Sequence, residues 1–98
     1  MAKVSFHSDA LVEINKSALY LNEQSPDMGN NFLDELEKSV KLISRFPDTW
    51  ACVRGNIRRL IITRYNYNIF YRIVSDGSVQ IISVEHGRKE PFTFLGRL

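Results

Sequence analysis

Apolar residues recur at intervals of three and four over two stretches of the first half of the chain. In the second half they gather into three shorter runs joined by tight turns. Ile57–Arg64, Tyr67–Val74 and Val79–His86 are rich in β-branched and aromatic residues, which suit a pleated, half-buried surface. Tyr65-Asn66 breaks the first run from the second. Asp76-Gly77, a strong hairpin signal, separates the second from the third. The pattern predicts an antiparallel three-stranded meander. Alternation puts Tyr67, Ile69, Tyr71 and Ile73 on one face and Asn68, Phe70, Arg72 and Val74 on the other. In the first run Ile57, Arg59 and Ile61 share a face, with Leu60 and Ile62 opposite.

Lys3–His7 alternates over a shorter length and predicts an N-terminal strand that joins the meander, since a lone strand has no ladder partner. Ser8-Asp9 offers a capping hydroxyl and a first-turn acid for a helix over Asp9–Asn22. Leu11, Ile14, Ala18 and Leu21 form its apolar stripe, Tyr20 widens it or marks its edge, and Glu13, Asn15 and Lys16 fall outside. Ser25-Pro26 predicts the cap and first position of a second helix, striped by Leu33, Leu36, Val40 and Ile43. Asp34–Lys38 and Glu37–Lys41 are i,i+4 pairs on its outer side, worth about 0.3 kcal/mol each. Pro47 ends the helix at Arg45 or Phe46. Pro47–Asn56 reads as irregular, with Trp50 plugging a core edge, and Pro91, Phe92, Phe94 and Leu95 suggest a docked tail.

The expected fold class is α+β: a short strand, an antiparallel helical hairpin, then the meander (β-α-α-β-β-β) and the tail, as one domain over residues 1–98. Two helices cover one face of such a sheet. The other face should then expose a mixture of apolar and arginine side chains, the kind of patch that marks a binding site.

Composition adds limits. The 98 residues hold an ordinary apolar fraction of 44% and no run near the ~20 apolar residues that span a bilayer. No membrane partner is expected. The start lacks a signal-peptide pattern, and the single Cys52 suits a reducing cytoplasm. The net charge of +2 hides an asymmetry. Residues 1–53 carry five basic and eight acidic side chains. Residues 54–98 carry eight basic and three acidic, and most of the basic ones are arginine. An anionic partner for the second half is one reading; a solvated charged face is the other.

No Gly-rich phosphate loop, HExxH or cysteine pair is present. His7 and His86 lack the carboxylate company of a metal site, so neither metal nor cofactor is expected. What remains is Arg59, Arg64, Arg72, His86 and Arg88 among Tyr65, Tyr67 and Tyr71. Such a set could cleave RNA without metal, with a base on the 2′-hydroxyl and arginines on the phosphorane charge. It could equally be a set of arginines that pair with helix acids for solubility.

The runs Ile57-Arg58-Arg59, Tyr67-Asn68-Ile69-Phe70-Tyr71-Arg72-Ile73 and Val84-Glu85-His86-Gly87-Arg88 resemble the RelE/ParE superfamily of toxins from bacterial toxin–antitoxin pairs. Ser25-Pro26, Phe32-Leu33-Asp34-Glu35-Leu36 and Phe46-Pro47 add to the resemblance. It implies the same α+β fold and one of two activities. The RelE-like branch cleaves mRNA on the ribosome. The ParE-like branch binds and stalls DNA gyrase. Asn68 stands where the nuclease branch often has arginine, and the C-terminal segment offers Phe92 and Phe94 where several of its members use a tyrosine. Arg88 matches a basic position of that branch, but His86-Gly87-Arg88 and the hairpin sequence are closer to the ParE-like branch. The resemblance therefore implies a gyrase-binding toxin, with ribosome-dependent mRNA cleavage by Arg59, Arg64, Arg72, His86 and Arg88 as the alternative. The expected target surface is Arg88, Lys89, Phe92, Phe94 and Arg97. A cognate antitoxin, an acidic disordered segment folding on binding, is expected at Leu11, Tyr20, Phe70 and Arg72, giving a heteromeric complex.

Overall fold

The structure, a computed structural model, describes residues 1–90 and 92–98; Pro91 lies outside the described residues. Strand β1 (Val4–Phe6) leads into helices α1 (Ser8–Gln24) and α2 (Met28–Arg45). Strands β2 (Cys52–Arg54), β3 (Ile57–Ile62), β4 (Tyr67–Ile73) and β5 (Val79–His86) follow, and a single 3₁₀ turn spans Leu95–Arg97. The strands form one sheet in the order β1-β5-β4-β3-β2. β1 lies parallel to β5, and every other pairing is antiparallel. The fold is α+β, as the residue pattern predicts. No helix is long and apolar enough to cross a membrane among the described residues.

The helix starts differ from expectation. His7, not Ser8, caps α1, and its Nδ1 accepts from the Asp9 N–H at 3.0 Å. Ser25 does not open α2. It closes α1 in extended geometry, its N–H donating to the Leu21 carbonyl. The chain then turns through Asp27 at φ 62°, and the Asn22 amide oxygen accepts from the Gly29 N–H at 2.7 Å. A cap from the preceding helix thus replaces the expected serine hydroxyl. Gly29 is required here: a Cβ would lie 2.0 Å from the Ala18 carbonyl oxygen.

The buried stripe of α1 is Ala10, Ile14, Ala18 and Leu21, and that of α2 centres on Phe32, Leu36 and Ile43. Leu11 is exposed, and Leu33 and Val40 are only partly buried, because all three line an open groove. Of the expected helix pairs, Glu37–Lys41 forms at 3.4 Å, while Lys38 turns to Glu35 at 3.9 Å instead of Asp34. The helices cover Leu60, Ile62, Tyr67, Ile69, Tyr71, Val79, Ile81 and Val84.

β2 lies in the stretch expected to be irregular. Gly55, at φ 55°, turns it onto β3, so that Cys52 pairs with Arg58. The loop before it is tied down by the Tyr71 hydroxyl, which donates to the Pro47 carbonyl at 2.7 Å, and by Arg58, which donates to the Asp48 and Trp50 carbonyls. Trp50 packs against the core as expected. Burial pushes the Tyr71 phenol up to about 12, so it stays a donor.

Between Phe70–Ser83 and Tyr71–Ile81 the register shifts by one residue, leaving Ile82 as the extra residue of a β-bulge. Ile81 therefore faces the helices, and Ile82 faces the opposite side, where it meets Ile57 and Phe70. That side was expected to be bare. Instead Phe92, Phe94 and Leu95 cover its apolar centre. Exposed aromatic surface is costly in water, and the tail removes it.

Candidate functional site: the C-terminal segment and the sheet face beneath it

After β5 the chain reverses at Gly87, whose N–H donates to the Asn66 carbonyl at 2.7 Å. A Cβ there would lie 2.4 Å from the Asn66 Oδ1. Phe92 adopts φ 65°, a left-handed conformation unusual for a bulky residue. It is held by ring packing: Phe70, Phe92 and Phe94 have centroids 4.8 to 5.9 Å apart, and the Arg54 guanidinium lies 5.2 Å from the centre of the Phe92 ring. Such contacts add about 1 kcal/mol each beyond area burial.

The end of the segment is fastened at the edge of β5. β1 pairs only with Val79–Ile81, so the rest of that edge needs other partners. Glu13 of α1 accepts from the Val84 N–H at 3.1 Å, and Arg97 donates to the Ile82 carbonyl at 3.0 Å. The two side chains join in a bidentate pair at 2.9 and 3.0 Å. The Ser83 hydroxyl lies 3.0 Å from Glu13 and 2.9 Å from the buried Glu85. Lys89 reaches both carboxylates at 3.6 and 3.5 Å. Burial raises the Glu13 pKa, but the hydrogen bonds from Arg97, Val84 and Ser83 and the Arg97 charge together outweigh it. The carboxyl lies below its ordinary 4.5. The same pair, through its hydrogen bonds first, raises Arg97.

The five residues of the cleavage alternative fall into two sets, Arg59 and Arg72 on one side of the sheet and Arg64, His86 and Arg88 around the end where β4 begins and β5 finishes. Arg59 pairs across β3 and β4 with Phe70, so it and Arg72 lie on the tail side of the sheet. Arg72 donates to Gln80 at 2.9 Å. His86 pairs with Tyr67 on the helix side, with rings 5.2 Å apart. Arg64 lies in the β3–β4 turn, 5.3 Å from the Tyr65 ring centre. Arg88 is exposed, and its N–H donates to the His86 Nδ1 at 3.1 Å.

Of the expected target surface, Arg88 and Lys89 are exposed and Phe92 is partly so. Phe94 is buried in the tail cluster, and the Arg97 guanidinium is turned inward to Glu13. Of the expected antitoxin residues, Leu11 and Tyr20 are exposed, Phe70 is buried beneath the tail and Arg72 is partly buried. Leu11 lines the interhelical groove of about 360 Å³ with Phe6, Ile14, Leu33, Leu36 and Val40, and Glu37 and Lys41 also line it. Sequence reasoning placed Glu13 on the solvated side of α1 and missed its role. Its partners lie 70 to 84 residues away, and no local spacing announces them.

Two helices against a five-stranded sheet is an arrangement with solved counterparts among the ParDE and RelE toxin systems. Residues 4–91 match the family model described as ParE toxin of type II toxin-antitoxin system, parDE, and the chain belongs to that family. Solved structures agree in fold. The chromosomal ParDE system from P. aeruginosa aligns with TM-score 0.75 at 14% identity, covering 88% of this chain and 96% of that one. The isolated E. coli RelE toxin aligns with TM-score 0.70 at 16% identity, covering 93% and 89%. A mutant E. coli RelE in complex with an antitoxin RelBc peptide aligns with TM-score 0.68 at 15% identity, covering 99% and 94%. Among curated proteins, none matches in sequence.

Proposed function

We propose that this toxin acts by binding DNA gyrase and inhibiting it, in the cytoplasm, and that a cognate antitoxin neutralises it. The observation that carries the reading is the split of the candidate nuclease residues between the two sides of the sheet. A general base must lie within hydrogen-bond reach of the proton it takes, and charge stabilisers must surround the same phosphate. Here His86 lies on the helix side of the sheet and Arg59 and Arg72 on the other. The tail aromatics are phenylalanines, which transfer no proton. The C-terminal segment suits protein contact: Arg88 and Lys89 are exposed and Phe92 is partly so, and arginine and aromatic residues dominate interface energetics.

An antitoxin fits the groove between α1 and α2. The groove is apolar, has a charged rim at Glu37 and Lys41, and suits the apolar face of an amphipathic helix. The solved RelE complex with an antitoxin peptide gives a precedent of this kind of partner in the same fold.

The test is a gyrase supercoiling assay with purified toxin, repeated after adding the co-encoded antitoxin. Inhibition that the antitoxin reverses supports the reading. Folded toxin without effect on gyrase, but able to cut ribosome-bound mRNA in a manner lost in Arg88→Ala, would replace it with the RelE-like activity.

A further inference from the structure

The C-terminal segment has little regular structure of its own. A three-residue 3₁₀ turn cannot hold a fixed position unaided, so its place comes from side chains. The Phe92–Phe94–Phe70 cluster fixes its middle. Its end is fixed from outside the sheet, by α1. Glu13 bonds at once to a tail side chain, Arg97, and to a strand backbone, Val84 N–H. Arg97 completes the circuit at the Ile82 carbonyl. The pair therefore does what a further strand would do at this edge, and it does so only while the tail is docked. Asp9, one turn earlier on α1, lies 3.6 Å from Arg97, and Lys89 at the root of the tail bridges Glu13 and Glu85.

We propose that Glu13 is the positioning residue of the target-binding segment: by clasping Arg97 across the open edge of β5, it locks residues 92–98 and thereby sets the basic turn at Arg88 and Lys89. Glu13 itself need not touch gyrase. The consequence for activity rests on the gyrase reading; the clasp itself does not. The distinction from a general structural role lies in the chemistry of Glu13→Gln. Glutamine keeps an oxygen for the Val84 N–H and fills the same space, but it removes the charge that holds Arg97. A charge-assisted pair outweighs a neutral hydrogen bond by enough to change local opening about tenfold.

The test compares wild type, Glu13→Gln, Arg97→Gln, the double variant and Glu35→Gln. The last removes one carboxylate from an exposed helix pair far from the tail in sequence. Two readouts are taken on the full chain: amide hydrogen exchange at residues 94–98, and inhibition of gyrase supercoiling. Exchange should rise about tenfold in either single clasp variant and little further in the double, with protection in β3 and β4 retained. Gyrase inhibition should weaken in the same variants and hold in Glu35→Gln. Unchanged exchange in Glu13→Gln overturns the clasp. Faster exchange with undiminished inhibition overturns the positioning role. A wild-type toxin that leaves gyrase untouched defeats the gyrase reading and the role in target binding with it, while the exchange data still decide the clasp.

Discussion

At the scale of the residue, Glu13 and Arg97 illustrate how a polar pair earns its place at a sheet edge. Val84 N–H and Ile82 C=O need partners where β1 has ended, and the pair supplies one each. Because the folded Glu13 carboxyl titrates below 4.5, its contribution is complete above that pH. It is lost as pH falls through the lower folded value, since the unfolded chain takes up the proton first. Urea unfolding followed from pH 6 to pH 3 should show wild type losing more stability than Glu13→Gln. A parallel decline would remove Glu13 from the account. Gly29→Ala should cost at least about 2 kcal/mol, because the added Cβ meets the Ala18 carbonyl across the helix pair and neither backbone can yield without parting α1 from α2. Tyr71→Phe should cost about 1 kcal/mol by leaving the Pro47 carbonyl without its donor. Both are read from denaturant midpoints.

At the scale of the element, the strands of the meander were legible because β-branched and aromatic runs are bounded by turn signals; β5 spans Val79–His86 as its composition predicts. The helices were legible in place but not in their ends. Ser25-Pro26 has the composition of a helix start, yet the turn through Asp27 and the cap from Asn22 override it. β2 was missed because three residues carry no period, although Gly55-Asn56 beside it is a turn signal. The bulge at Ile82 was invisible, since Ile81-Ile82 reads equally as two core residues on one strand. The tail was read as docked, but its partner surface was not: Phe70 looked like an exposed contact residue, and only the folded chain shows Phe94 4.8 Å from it. The tail residues could thus be named from the sequence, but not their geometry nor the contact that Glu13 makes with them. Phe94→Ala follows at this scale. It should uncover Phe70 and Ile82, raise binding of a hydrophobic dye and speed tail exchange, while far-ultraviolet dichroism stays near wild type. A global loss of dichroism would show that the tail is part of the main cooperative unit.

At the scale of the whole molecule, the charge division has a structural counterpart. The acidic first half forms the helical layer with its apolar groove and the edge strand β1, and the basic second half forms the central strands and the tail. The two proposed partners therefore meet different sides, the antitoxin at the groove and the target at the tail. Leu11→Lys, at the groove, should weaken antitoxin binding at least tenfold in a titration of the purified pair, about the loss expected when a charge enters an apolar contact. An unchanged Kd would move the antitoxin elsewhere. The most direct test of the central claim is a paired assay on one folded preparation: gyrase supercoiling beside cleavage of ribosome-bound mRNA. The account predicts that supercoiling is inhibited and the mRNA stays intact. Cut mRNA with supercoiling unaffected would contradict it.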